Sequence, residues 1–276
     1  MKRDPRHRGF ALLMVLWALG FLALLGTSLV AVGRQDTQRA RNLIDGATAE
    51  AAADGAVQQA IFGLLDTSDQ HWNPDSSVHV LRFGQYLIEV RLDDEAGKVN
   101  PNIASEELLQ SLLLQLGVSP PAALSLAAAI ADWRAAGQQP RPTGAKAPQY
   151  AAAGRNYGPP GAPFESLDEL GAVLGMTPPL LAVLRPHLTL YTDDDPDAST
   201  TDPIVAAALG ERVRAATNRG TINTPQVVTV SVIVHGPRRT GFSERVVVRT
   251  NALDNTRRYE LLAREAVVIP SLLAGP

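Results

Sequence analysis

The chain has 276 residues, 45% of them apolar and 19% charged, with a formal charge of −3 and no cysteine. A chain of this size can bury one large core or two small ones, and its acidic lean excludes the basic footprint of a general nucleic-acid binder. Disulfides and cysteine-based metal or redox centres are excluded outright.

The first nine residues, MKRDPRHRG, set Lys2, Arg3, Arg6 and Arg8 against Asp4. Without them the chain carries 21 basic and 27 acidic residues, a charge near −6. Phe10 to Gly33 contains no charged residue. At about 1.5 Å per residue it makes a helix of roughly 35 Å, long enough to cross a bilayer core. A basic flank before an apolar span places that end in the cytoplasm and the bulk of the chain outside. Arg34 to Leu65 continues the helix. Ala40, Leu43, Ala47, Ala51, Val57, Ile61, Leu64 and Leu65 recur at spacings near three and four, an amphipathic stripe. Small residues from Ala47 to Gly55 let a second surface approach closely, so the helix suits its own sheet, a filament bundle, or both.

Ser77–Phe83 and Gln85–Leu92 read as a hairpin about Gly84, with Tyr86, Ile88, Val90 and Leu92 alternating against Gln85, Leu87, Glu89 and Arg91. From Asp93 to Tyr191 the period becomes helical and appears twice. In the first copy Ser105 is the N-cap, Leu108, Leu109, Leu112, Leu113 and Leu116 form the buried face, Gly117 ends the helix and Ser119-Pro120 opens the next. In the second, Ser166 and Glu169 make a capping box, Gly175 is the stop, and Thr177-Pro178 opens the next helix. Residues 135–163, rich in Gly, Pro and Ala, read as a long loop. Thr192 to Pro203 is an acidic joint, Ile204 to Ala216 a short helix, and strands follow over Gln226–Val234, Ser243–Arg249 and Tyr259–Ile269.

This order predicts an α+β fold. A long N-terminal transmembrane and amphipathic helix packs on an antiparallel sheet, with an inserted all-helical domain of two helical hairpins. The expected parts are a leader at 1–9, a membrane helix at 10–33, and a helix with the first hairpin at 34–92. The helical insert follows at 93–191, an acidic linker with a short helix at 192–224, and the sheet-completing strands at 225–276.

A basic leader ending in Gly9, then Phe10, then an apolar helix running into an amphipathic one, resembles the type IV pilin family. That resemblance implies cleavage between Gly9 and Phe10 by a prepilin peptidase. Counting from Phe10, the fifth position, where most pilins carry Glu, holds Met14. With the later DEAGKVNPNIASEELLQSLLLQLG and IADWR segments, the chain looks like the K-type minor pseudopilin of type II secretion systems. The resemblance implies a single-pass protein of the bacterial inner membrane with its bulk in the periplasm. It also implies a place at the tip of the pseudopilus, whose assembly it helps to initiate for export of folded proteins. Its implied partners are the I-type and J-type minor pseudopilins and the major pseudopilin. Family members bind calcium, which directs attention to Asp193, Asp194, Asp195, Asp197 and Asp202, the one dense carboxylate cluster. A solvated acidic linker is the other reading of those residues.

Two other functions compete with this one. The NPNIASEELL segment also resembles the helix-hairpin-helix modules of membrane-anchored DNA-uptake receptors. Those modules cradle phosphate in a turn with two glycines, and Gly117-Val118-Ser119 and Gly175-Met176-Thr177 each have one. No Lys or Arg occurs from Val99 to Trp133 or from Asn156 to Leu184, whereas affinity for DNA comes largely from cations on phosphate. Catalysis has no motif to rest on. The five histidines stand apart, and no nucleophile elbow or phosphate loop occurs. Asp132-Trp133-Arg134 reads as a helix end, with Trp133 in the core and Asp132 bonded to a nearby loop.

Overall fold

The structure, a computed structural model, describes residues 7–196, 202–210, 226–237, 240–250 and 258–267; within the first helix it describes the side chains of 12–24 and 38–65. That helix, α1, runs unbroken over His7–Leu65. A five-stranded antiparallel sheet follows in the order β1-β2-β3-β4-β5, formed by β1 Asp75–Phe83, β2 Tyr86–Asp94, β3 Gln226–His235, β4 Gly241–Thr250 and β5 Tyr259–Ala266. The alternation seen in the sequence sets its faces. Tyr86, Ile88, Val90 and Leu92 of β2 and Val228, Val230, Val232 and Val234 of β3 point at α1 and are buried there. They meet Ala49, Ala53, Ala56, Val57, Ala60, Ile61 and Leu64 of α1. Alanines on the helix let it lie close to the valine-lined sheet, so the layer is thin and tight.

Between β2 and β3, which pair directly from Leu87↔His235 to Asp94↔Val228, the chain leaves the sheet. It forms α2 Glu106–Gln115, α3 Pro120–Arg134, α4 Ala147–Ala152, a 3-10 turn at Leu167–Ala172, α5 Pro178–Leu184, a second 3-10 turn at Arg185–His187, and α6 Pro203–Leu209. These pieces share a core of their own around Leu109, Leu112, Leu113, Ile130, Tyr150, Leu170 and Leu184, separate from the α1–sheet core. A parallel bridge, Val99↔Leu188, brings the two ends of the helical segment together.

Several expected boundaries shift. The hairpin strands reach Asp75 and Asp94, because Asp93 and Asp94 still pair, with Asp75 and Val228 respectively. The long loop at 135–163 contains α4, opened by Pro148 in its first turn. The second helical copy starts at its Ser166–Glu169 capping box as expected, but winds as a 3-10 turn. Gly171 and Gly175 give that short stretch poor α-helical propensity. The helix expected over 204–216 is seen from 203 to 209, and the strand expected to Ile269 is seen to Ala266; residues 211–225 and 268–276 lie outside those described. No described segment is long and apolar enough to cross a membrane.

Candidate assembly surface

α1 presents two stripes. The inner one faces the sheet. The outer one consists of Ala40, Ile44, Ala47, Ala51 and Gly55, spaced by threes and fours, with Phe62 two turns further on, all exposed. Ile44 is 65% exposed and Phe62 67%. The expected single stripe is thereby corrected. Leu43, Ala47 and Ala51 do not join the core, because described burial begins only at Asp45 and takes the opposite side of the helix. Every described residue from Leu12 to Leu24 is exposed as well, including Met14 at 61%. Gly9 and Phe10 lie in the helical backbone, and their side chains are outside those described.

α1 is held to the sheet by charge as well as by apolar contact. Glu244 of β4 points at the helix, its side chain 1% exposed. One carboxylate oxygen, Oε2, accepts from Arg264 Nε at 2.8 Å, while Oε1 is buried without a partner. Arg264 of β5 also pairs with Asp54 of α1. Burial pushes the Glu244 carboxyl up, with Arg264 opposing; hydrogen bonding to Asp54 raises the Arg264 guanidinium. The sequence reading missed this joint. Its signal was a charged residue at an inward position of β4, in register with Phe242, Val246 and Val248. At the far end of α1, Trp72 lies against Gly63, where a Cβ would sit 2.5 Å from the indole. The indole stacks on His79 of β1 at 3.9 Å.

The helical segment is fastened at the end of α3, as the sequence suggested. Trp133 is 5% exposed and stacks on Phe164 with centroids 5.9 Å apart. Asp132, 1% exposed, accepts from the Arg141 backbone at 3.1 Å and from its guanidinium at 3.0 Å. Arg141 reaches on to Glu106 of α2. The buried Lys146 donates to the carbonyls of Asp132 and Ala135, and Arg134 donates to those of Pro101 and Ala104. Lys146 thus satisfies carbonyls at the end of α3, which a helix end requires, while Arg134, Asp132 and Arg141 tie down the loops beside it.

The acidic joint does not gather into one site. Asp202 caps α6, its Oδ1 accepting from Ile204 and Val205, and its Oδ2 sits 2.5 Å from His187 Nδ1. The Asp193 side chain is 96% exposed and lies 3.9 Å from Arg249. The Asp195 carboxyl is pushed up by burial, with Arg134 opposing. Asp194 is exposed, and Asp197 lies outside the described residues. Among the described residues no group of three or more acidic or histidine side chains could hold a metal ion.

The two glycine turns serve helix ends. Gly117 and Gly175 take φ of +82° and +93°. After α2, the N–H of Gly117 goes to Leu114 and that of Val118 to Leu113, a closing pattern that leaves neither free for a phosphate.

Comparison with known proteins agrees with this architecture. The family model described as "Type II secretion system (T2SS), protein K" matches residues 89–193, from β2 through the helical segment. Type II secretion system protein K of Klebsiella pneumoniae is 28% identical over 231 residues, 75% of this chain and 70% of the relative. A chain from the crystal structure of the GspK-GspI-GspJ complex of the enterotoxigenic Escherichia coli type 2 secretion system superposes with a TM-score of 0.58 at 13% identity. That match covers 86% of this chain and 99% of the other, and it speaks for the fold. None of these matches is to a DNA-uptake receptor. With its helix-on-sheet frame and helical segment accounted for, the chain carries over residues 89–193 the protein K domain of type II secretion systems, and it is similar over most of its length to a protein K of such a system.

Proposed function

We propose that this chain is a minor pseudopilin that caps the tip of the periplasmic pseudopilus and helps to start its assembly. Residues 10–33 hold it in the inner membrane, N-terminus inward, after a prepilin peptidase cuts between Gly9 and Phe10. The I-type and J-type minor pseudopilins are its partners, with the major pseudopilin below. The observation that carries this reading is the outer stripe of α1, Ala40 to Gly55 with Phe62, which is exposed, as are the apolar side chains of 12–24 on the same helix. A helix covered on one side by its own sheet and left apolar on the other suits a bundle of like helices. The solved neighbour, described as a GspK-GspI-GspJ complex, supports the choice of partners.

Met14 supports the end position. A mature N-terminal amine buried among apolar helices needs a carboxylate, since an unpaired buried charge costs several kcal/mol. With Met in place of the usual Glu, this chain offers none to a subunit above it. The helical segment, read as an inserted domain at 93–191, adds bulk that stacking in mid-filament opposes. Calcium at Asp193 to Asp202 belongs to the proposal only at a cost: it must draw Asp202 away from His187 and from its helix cap. The test of tip placement is labelling. Immunogold on sheared pseudopili should mark one end; label along the shaft overturns it. Co-purification of the periplasmic parts with the I-type and J-type partners tests the complex.

A further inference from the structure

The two edges of the sheet are finished differently. β5 carries Glu260, Arg264 and Glu265, charges that discourage another strand from pairing. β1 has no such guard. From Ser76 to Phe83 it contains no Lys, Pro, Asp or Glu, and Val78, Val80 and Phe83 are 55%, 59% and 59% exposed. It pairs with β2 on one side, and no described strand pairs with the other. The strand is also held firmly in place. His79 stacks on Trp72 and Leu81 packs on the α1–sheet core, so the edge is a fixed template. Irregular backbone bounds it at both ends, a register shift between Asp75 and Val78 and the turn at Gly84, whose φ is +55°. The usable edge is therefore Val78 to Phe83. The positive charge beside it is that of Arg82, which is exposed; Arg91 of β2, opposite Val78, is paired with Asp93 at 3.1 Å. Glu89, opposite Val80, has His235 3.5 Å away.

We propose that β1 is a docking edge for an extended segment of a partner protein. The segment adds a strand to the sheet, its apolar side chains alternate onto Val78 and Val80, and a carboxylate meets Arg82. Main-chain hydrogen bonds supply the attachment and the alternate side chains the selectivity. A second copy of this chain is a poor occupant, because its own β1 from Ser76 to Phe83 has no carboxylate to offer Arg82. The proposal needs only that the chain works within a secretion assembly, not that it sits at the tip.

A photo-crosslinking residue at position 80 of the full chain, in cells with the working secretion system, tests it. Position 261 on β5 is the control. Cross-linked peptides from position 80 should map to an extended segment with an Asp or Glu within two residues of the linked site. Arg82→Glu should lower that yield at least fivefold, and changing the partner's acidic residue to Arg should restore it. A link to a helix, to a second copy of this chain or to lipid overturns the proposal. So do no link at all, a yield indifferent to Arg82→Glu, or the same segment linking to position 261. Immunogold labelling along the shaft overturns tip placement and leaves this result untouched.

Discussion

Replacing Arg264 by Gln leaves Glu244 buried beneath α1 with no cation. Removing one partner of a buried pair costs about 3–5 kcal/mol. The Arg264 side chain is 49% exposed, so water reaches the vacated side and the loss sits at the low end, about 3 kcal/mol. In a soluble chain starting near Arg34 that lowers the melting temperature by about 6–12 °C at pH 7. The pH dependence identifies the cause. The folded pKa of Glu244 is raised by burial, so its contribution is fully present below the unfolded value and lost as pH rises through the folded one. Without Arg264 the folded value rises further. The Arg264→Gln penalty should therefore be largest at neutral pH and shrink toward pH 4.5, where a protonated Glu244 needs no cation. Adding Glu244→Gln to Arg264→Gln should recover most of the loss at pH 7. Thermal melts of the unaltered chain, Arg264→Gln and the double variant at both pH values give the answer. An equal penalty at the two pH values, or a double variant worse than Arg264→Gln alone, refutes the reasoning.

Asp132→Ala removes the acceptor of two Arg141 bonds in a buried place, and should destabilise the helical segment by about 3 kcal/mol, read by denaturant melts. Asp202→Ala removes the α6 cap and should cost about 1 kcal/mol with or without calcium. If calcium adds no stability to the unaltered chain in melts against chelator, and calorimetry shows no heat, the acidic joint is no calcium site. N-terminal sequencing of the chain from a host with its prepilin peptidase should begin at Phe10; a start beyond residue 26 points to an ordinary signal peptide.

Much of the frame was legible because its causes are local. Ser105, Ser166 and Thr177 each cap the helical turn they announce, and the alternation in β2 and β3 gave the buried face directly. Trp133 and Asp132 fell where a helix end needs a core aromatic and a loop acceptor. The face of α1 was not legible. Alanine occurs all round that helix, so its period cannot separate the side that meets valines from the side that stays open. The bond between Arg264 and Asp54 joins residues far apart in the chain, and no local pattern pairs them. Asp202 was grouped with its acidic neighbours, although an Asp followed by Pro203 is the ordinary opening of a helix. Chain-local grammar there outweighed the apparent charge cluster.

The place where the helical segment joins the sheet has a consequence for how such proteins vary. β2 and β3 are next-door strands, so everything between Asp94 and Val228 occupies the position of a hairpin turn. The ends to be joined are one strand spacing apart, about 5 Å. Lengthening such a connection is cheap, about 0.6 kcal/mol for each doubling. The sheet register is set by β2 against β3 and takes no instruction from what lies between. This junction is a socket: a short turn closes it, and so does any compact body whose two ends come out side by side. The frame beneath can therefore stay constant while the head is exchanged.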